Sequence, residues 1–206
     1  GIEARMLLRD DRSAQLRSRQ RALMGPVGCG LCGIDSLEGA LPPLPAVDAD
    51  PRFARDEVAR ATDDLRRHQP LHDLTRAVHA AGFMVPGQGI VMAREDVGRH
   101  NAIDKIAGYM AMHEIAAADK IFYTTGRLTS EMVIKTALMG IPALASRSGF
   151  TAWGVEIARE VGLTLVGRMR GKRFVCLAGE ERLVRDVDPD SVPDEDKKHR
   201  RKSAGA

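Results

Sequence analysis

Apolar positions along this chain change their period several times, and each change predicts an element. Residues 56–68 carry Val58, Ala61 and Leu65 at three- and four-residue spacing, the mark of one helical face. Two short apolar runs, 80–85 and 90–93, flank Pro86-Gly87-Gln88-Gly89, which predicts a β-hairpin. Residues 97–113 return to helical spacing, with Ile103, Ile106, Ala107 and Met110 on one side. The pattern then alternates: strand 121–125, helix 130–139, strand 143–145, helix 152–161, strand 163–166 and a last strand 173–177. Strands separated by helices of this length predict an α/β fold with right-handed crossovers and a largely parallel sheet carrying helices on its faces.

This periodic region, 47–185, reads as an α/β ligand-binding domain between two stretches of different character. Residues 1–46 hold a short apolar strand candidate at 2–8, a polar segment, a glycine-rich loop from Gly25 to Gly33 and a proline stretch at 41–45. They read as an N-terminal remnant with a mobile Cys-x-x-Cys loop and a Pro-rich linker. Residues 186–206 turn to Asp, Pro, Lys and Arg with almost nothing apolar, the composition of a disordered charged tail. The start, Gly1-Ile2-Glu3-Ala4-Arg5, has neither an initiator Met nor a signal-peptide pattern, and reads as an internal cut. No apolar run reaches the roughly 18 residues a membrane helix needs.

Composition narrows the classes. With 206 residues, 44% hydrophobic and 29% charged, the chain is in the range of soluble globular proteins. A net charge of +3 is too weak to argue for nucleic acid as a partner. The kind of base says more: outside the tail, Arg far outnumbers Lys, and its planar fork suits phosphate and carboxylate oxygens. A GC-rich coding sequence explains the same bias equally well. Three cysteines, an odd number, argue against a disulfide-stapled secreted fold and for a reducing cytoplasm.

Ligands of open α/β sheets bind beyond the carboxyl ends of the strands, so the turns there are the place to look. Each predicted turn carries both Gly and Arg: 94–101 with Arg99, His100 and Asn101; 125–131 with Gly126 and Arg127; 146–149 with Arg147; and 167–173 with Arg168, Met169, Arg170, Gly171, Lys172 and Arg173. Three lead into helices, whose free N–H groups favour an anion. Polar, glycine-bearing turns are common on any surface, and the coincidence of four is what points to a shared anion site. Asp96 is placed to cap the helix after it, with His100–Asp104 and Asn101–Lys105 as i,i+4 pairs. Spacing alone leaves a ligand-facing helix mouth and an ordinary capped helix equally open. His79 reads as a satisfied buried histidine.

The loop Cys29-Gly30-Leu31-Cys32-Gly33 is the other candidate. Glycines at 28, 30 and 33 leave both thiols sterically open, as suits a thiol that accepts sulfur from one protein and delivers it elsewhere. The reacting form is the thiolate, which a positive environment favours, and Arg19 and Arg21 lie upstream. The second thiol can attack the inner sulfur of a persulfide on the first. A thioredoxin-like pair needs a helix start after its first Cys, and Gly33-Ile34-Asp35-Ser36 is a poor one. Structural zinc needs four ligands, and Cys176, in the predicted last strand, reads as a buried strand residue. The His-x-Glu and Pro-Cys-x-x-Cys signature of zinc deaminases is absent, since Ala80 and Ala81 follow His79 and Gly28 precedes Cys29. No metal site is predicted.

Several motifs in one order resemble the FdhD family of formate dehydrogenase accessory sulfurtransferases. They are Cys29-Gly30-Leu31-Cys32-Gly33, Val78-His79-Ala80-Ala81, the string Arg94-Glu95-Asp96-Val97-Gly98-Arg99-His100-Asn101-Ala102-Ile103-Asp104-Lys105, Gly126-Arg127 with Ser130-Glu131, and Leu163-Thr164-Leu165-Val166-Gly167. The resemblance implies a cytidine-deaminase-like three-layer α/β fold without the deaminase zinc, in a homodimer. It implies that sulfur arrives from a cysteine desulfurase and passes to the molybdenum (or tungsten) bis-guanine-dinucleotide cofactor, Mo-bis(molybdopterin guanine dinucleotide), a bound substrate destined for formate dehydrogenase. Cys29 is then the persulfide bearer, Cys32 its partner, and the basic turn at 168–173 the cofactor seat. The alternative is a non-catalytic cofactor-binding chaperone for formate dehydrogenase maturation. A third reading is a zinc hydrolase of deaminase ancestry. The chain departs from the family in three places. Thr75-Arg76-Ala77 stands where Thr-Gly-Gly is usual, Arg168 stands where an aromatic is common, and the N-terminal β-rich part is missing.

Overall fold

A computed structural model describes residues 44–184. The chain divides between Pro45 and Ala46 into two units, and the fold below is that of the second. The expected Cys29 and Cys32 loop, the strand candidate at 2–8 and the charged tail at 186–206 lie outside the described residues.

A short strand β1 (Phe53–Ala54) runs directly into helix α1 (Arg55–Arg66), whose Val58, Ala61 and Leu65 are buried as the periodicity predicts. A six-residue helix α2 (Pro70–Thr75) follows. Strands β2 (His79–Val85) and β3 (Gly89–Asp96) form the expected hairpin, and α3 (Arg99–Met112) leaves its far end. Then come β4 (Ile121–Thr124), α4 (Ser130–Leu138), β5 (Ala143–Ser146), α5 (Ala152–Glu160), β6 (Thr164–Arg170) and β7 (Arg173–Ala178). A 3-10 turn at Glu180–Arg182 leads to β8 (Leu183–Val184), which pairs in parallel with β1.

The α/β class follows the prediction, but the sheet is mixed rather than largely parallel. Its order is β3-β2-β4-β5-β6-β7, and only β4–β5 and β5–β6 are parallel pairs. Both edges are hairpins, and the crossover through α3 sets β4 beside β2, antiparallel to it. Alternate residues of β4 face opposite sides of the sheet. Ile121 and Tyr123 join one apolar cluster with Phe53 and with Val58, Ala61 and Leu65 of α1, while Phe122 and Thr124 are fully buried on the other side. Helices α3, α4 and α5 pack against β2–β3, β5 and β6 respectively.

Two strands run further than the apolar pattern suggests. β3 continues through Arg94, Glu95 and Asp96, because Glu95 is itself buried. Its carboxylate accepts the N–H groups of Leu71 and His72, each at 2.8 Å, and so caps α2. β6 continues through Arg168, Met169 and Arg170, so the expected basic turn is a β-hairpin with only Gly171 and Lys172 at its tip. Arg168 and Arg170 are exposed while Met169 is buried, the alternation of a half-covered strand.

Arg76 ends α2 in the left-handed region at φ 55°. Glycine adopts that backbone without the steric penalty of a Cβ, which accounts for the family's usual residue at this point. Buried Arg182 ties the domain's first residues down. Its guanidinium donates to the carbonyls of Ala49 at 3.0 Å, Gly162 at 2.8 Å and Val47 at 3.3 Å.

Candidate functional site

The register of the sheet brings one end of five strands into line. His79 opposes Asp96, Ala81 opposes Thr124, Thr124 opposes Ser146, and Ala145 opposes Val166 just before Gly167. Short polar side chains knit the turns beyond these ends. The Thr125 hydroxyl accepts the Ala80 N–H at 2.9 Å, and the Thr124 hydroxyl accepts the Gly126 N–H at 3.0 Å. The Ser146 hydroxyl donates to the Gly126 carbonyl at 2.6 Å and accepts the Ser148 N–H at 3.0 Å. The β4–α4 and β5–α5 turns are zipped further by Leu128 N–H to Gly149 and Thr151 N–H to Leu128. Arg168 N–H joins in, donating to the Ser148 carbonyl at 3.1 Å.

Arg99 and His100 open α3, and Glu131 stands in the first turn of α4. A Cβ on Gly126 would lie 2.9 Å from both Cβ and Cδ of Arg99, so only glycine leaves room for that arginine across the turn. Neither helix start carries a side-chain cap. Buried atoms without a hydrogen-bond partner gather here: Nε of Arg99, both ring nitrogens of His100, the hydroxyl of Thr129 and Oε2 of Glu131. His100 Nδ1 is 3.3 Å from Glu131 Oε2, yet the two are not aligned for a hydrogen bond. Unsatisfied buried polar atoms are rare in folded proteins, and their concentration at two uncapped helix starts makes this the candidate ligand site.

Asp96 differs from the expected cap. Gly98 is the N-cap residue; Asp96 Oδ1 accepts its N–H at 2.9 Å and the Asn101 amide at 3.1 Å. Lys105 pairs with Asp96 at 2.6 Å rather than with Asn101. Asp104 pairs with Lys135 of α4 at 2.8 Å, so the polar face of α3 is used to fasten neighbouring elements. The Lys105 and Gly98 bonds hold the Asp96 carboxyl down to about 2.

The electrostatics favour an anion. Burial, with the charges of Arg99 and Lys135, lowers His100 to about 4. Burial and the charges of Arg99 and Arg147 also lower His79, whose Nδ1 lies 3.3 Å from the Thr125 hydroxyl. Burial pushes the Glu131 carboxyl up, against the pull of Lys135. Both imidazoles are therefore neutral at pH 7, and the charges of Arg99, Arg147 and Lys135 stand against the Glu131 carboxyl. Neutral histidines and oriented N–H groups beside arginines suit a phosphate or diphosphate.

The structure thus brings Arg99 against Gly126 and His100 beside Glu131, and sets His79, next to Thr125, within reach of the charges of Arg99 and of exposed Arg147. Arg127 is exposed in the β4–α4 turn. Arg168 adjoins through Ser148, with its guanidinium 5.7 Å from the centroid of the Phe150 ring. Met169 points into the core at 1% exposure, while Arg170, Gly171, Lys172 and Arg173 form the exposed end of the β6–β7 hairpin. Glu131 and Thr129 went unsingled in the sequence as members of the site, although both stand in a strand-end turn. Cys176 is half-buried on β7, where burial pushes its thiol up. Among the described residues no cluster of His, Cys, Asp or Glu is arranged to hold a metal ion, and no helix is long and apolar enough to cross a membrane.

Residues 3–184 match the model of the FdhD/NarQ family. The sulfur carrier protein FdhD of Agrobacterium fabrum is 42% identical over 185 residues, covering 89% of this chain and 68% of the relative. That of Bordetella parapertussis is also 42% identical over 185 residues, covering 67% of its own length. Among solved structures, a protein from Desulfotalea psychrophila described as a formate dehydrogenase accessory protein superposes with a TM-score of 0.62 at 36% identity. That match covers 68% of this chain and 59% of the other, so the chain spans about two thirds or less of the length of these relatives.

Proposed function

This chain belongs to the FdhD/NarQ family, and from that premise we propose that it is a sulfur carrier acting as a sulfurtransferase in formate dehydrogenase maturation. Cys29 accepts sulfur from a cysteine desulfurase. Its thiolate attacks the terminal sulfur of the donor's persulfide, that S–S bond breaks, and the donor leaves as a thiolate while Cys29 keeps the sulfane sulfur. No outside oxidant or reductant is needed for this exchange. Cys32 assists release by attacking the inner sulfur, which frees hydrosulfide and leaves a Cys29–Cys32 disulfide.

The receiving substrate is the molybdenum or tungsten bis-guanine-dinucleotide cofactor, carried by the domain described above. One observation supports this most: Arg99 and His100 open an uncapped helix start where buried polar atoms lack partners, with the Arg147 charge felt at neighbouring His79. That donor set fits a diphosphate. Arg99, Arg147 and the first amides of α3 and α4 would hold it, with Arg127, Arg168 and the hairpin cations Arg170, Lys172 and Arg173 around the rim. Two neutral histidines beside the anion keep the site free of further titrating cations at pH 7. The reading includes a homodimer in the cytoplasm and a deaminase-like layering, which a sheet buried on both faces supports.

Incubation with a cysteine desulfurase and cysteine, followed by intact mass measurement, is the test. One added sulfur that is absent from Cys29→Ala is the expected result. Arg99→Ala is expected to load sulfur normally but to fail in activating formate dehydrogenase in cells. A Cys29→Ala, Cys32→Ala protein that still activates the client overturns the carrier and leaves a cofactor chaperone.

A further inference from the structure

Residues of β7 alternate between the two faces of the sheet. Leu177 reaches the α5 face, where a Cβ on Gly167 would stand 3.2 Å from both it and Phe150, while Phe174 packs with the apolar cluster beneath α1. Cys176 shares the Phe174 side and lines a cavity of about 340 Å³ with Arg55, Glu180, Glu181 and Leu183. The fold fixes these walls. Arg55 opens α1, and its guanidinium lies over the Phe174 ring, 5.4 Å from the centroid. That cation–π contact consumes none of the N–H donors with which an arginine grips a carboxylate. Glu180 and Glu181 stand on the 3-10 turn that Gly179 opens at φ 66°. The turn is pressed against β6 so closely that a Cβ on Gly179 would lie 2.6 Å from Thr164 Oγ1. The Cys176 thiol donates to the Ala178 carbonyl at 3.3 Å, and its sulfur joins Leu183 as a polarisable, apolar part of the lining.

We propose that this cavity seats a free amino acid, with its carboxylate on Arg55, its ammonium on Glu180 and an apolar or thioether side chain against Cys176 and Leu183. The volume is at the small end of ligand pockets and excludes a dinucleotide. The two glutamates oppose a diphosphate, which separates this cavity in chemistry from the turns around Arg99. Glu181 already faces Arg182 at 3.6 Å, so Arg55 and Glu180 are the charges a ligand meets. Burial raises the Cys176 thiol, and Glu180 and Arg55 act on it with opposite sign, which sets both charges around the sulfur. A simple anion leaves the Glu180 carboxylate unanswered, and a simple cation leaves the Arg55 guanidinium so. A zwitterion answers both within one small body. The inference does not depend on the sulfur-carrier reading.

Alkylation of Cys176 by iodoacetamide in the full chain, followed on the tryptic peptide Phe174–Arg182, reports whether the cavity is filled. Cys29 and Cys32 in the same digest are the reference. Methionine is the probe, beside the thioether amine that lacks its carboxylate and the thioether acid that lacks its ammonium. Methionine is expected to slow Cys176 alone, and at concentrations about 2- to 10-fold lower than either analogue needs, as half-exposed charge pairs contribute. Arg55→Gln is expected to abolish the advantage over the amine and keep the advantage over the acid. Glu180→Gln, at an exposed position where folding is not at stake, is expected to do the reverse. No slowing by methionine, equal slowing by all three compounds, or slowing of all three cysteines alike overturns the seat. Slowing of Cys176 by inorganic pyrophosphate overturns it in favour of a further anion site.

Discussion

Replacing Gly126 with alanine sets a methyl group 2.9 Å from both Cβ and Cδ of Arg99. Ordinary van der Waals contact begins near 3.4 Å, so one side must give by about 0.5 Å. The turn cannot retreat easily. Its carbonyl receives the buried Ser146 hydroxyl at 2.6 Å, and its N–H is bonded to Thr124 at 3.0 Å. The displacement therefore falls on Arg99 and the first turn of α3, with a cost of about 1–3 kcal/mol, as for other overpacked positions. Gly108 is the control. It lies inside α3 with nothing within 4 Å of the added Cβ, so Gly108→Ala is expected to stabilise by about 0.5–1 kcal/mol through helix propensity alone. Urea unfolding measures both, and pyrophosphate calorimetry measures the site. Gly126→Ala is expected to lose both stability and anion affinity. A Gly126→Ala protein as stable as its parent and binding pyrophosphate equally well refutes the claim that this glycine exists to admit Arg99.

Further outcomes follow from the same geometry. Asp96 has a folded pKa of about 2 against an ordinary 3.8, so its contribution is present above pH 3.8 and lost as pH falls through about 2. Asp96→Asn is expected to lower stability at pH 7, and acid-unfolding curves of the two proteins should converge between pH 4 and pH 2. His100, lowered from 6.5 to about 4, takes up its proton more readily in the unfolded chain, so the native state loses stability as pH drops from 6.5 towards 4. Its imidazole resonances should remain those of the neutral ring at pH 5.5, and a normal titration near 6.5 contradicts the burial argument. Arg182→Met strands the Val47, Ala49 and Gly162 carbonyls and is expected to cost about 2–4 kcal/mol, with faster hydrogen exchange at Val47. Arg76→Gly relieves the left-handed backbone and sacrifices only an exposed 3.7 Å pair with Asp73; thermal unfolding should report a gain of about 0.5–1 kcal/mol.

The elements with a strong apolar period were legible from the residues: α1, α3, the β2–β3 hairpin and the alternation from β4 to α5 lie within a few residues of where the spacing predicts them. Elements held by polar contacts were not. α2 has no buried side chain and exists because Pro70 starts it and the Glu95 carboxylate, 23 residues on from His72, caps its amides. The extension of β6 through Arg168 and Arg170 is likewise invisible to hydropathy, since an edge hairpin tolerates charge on its open face. Pairing direction was misread for a related reason. A strand's own sequence does not state which neighbour its backbone will meet, and here the crossover through α3 delivers β4 to β2 rather than to β3.

The site divides along the same line. Local sequence determined that Gly and Arg stand at the strand ends, because turn chemistry and helix starts are written within a few residues of each other. Only the folded sheet decided that the charges of Arg99 and Arg147 reach His79, that His100 lies beside Glu131 and is neutral there, and that the glycines at 126 and 167 make room for an arginine and a phenylalanine. Those facts depend on register, on burial and on the approach of segments far apart in the chain. No window of neighbouring residues carries that information, because a charge takes its meaning from what surrounds it after folding.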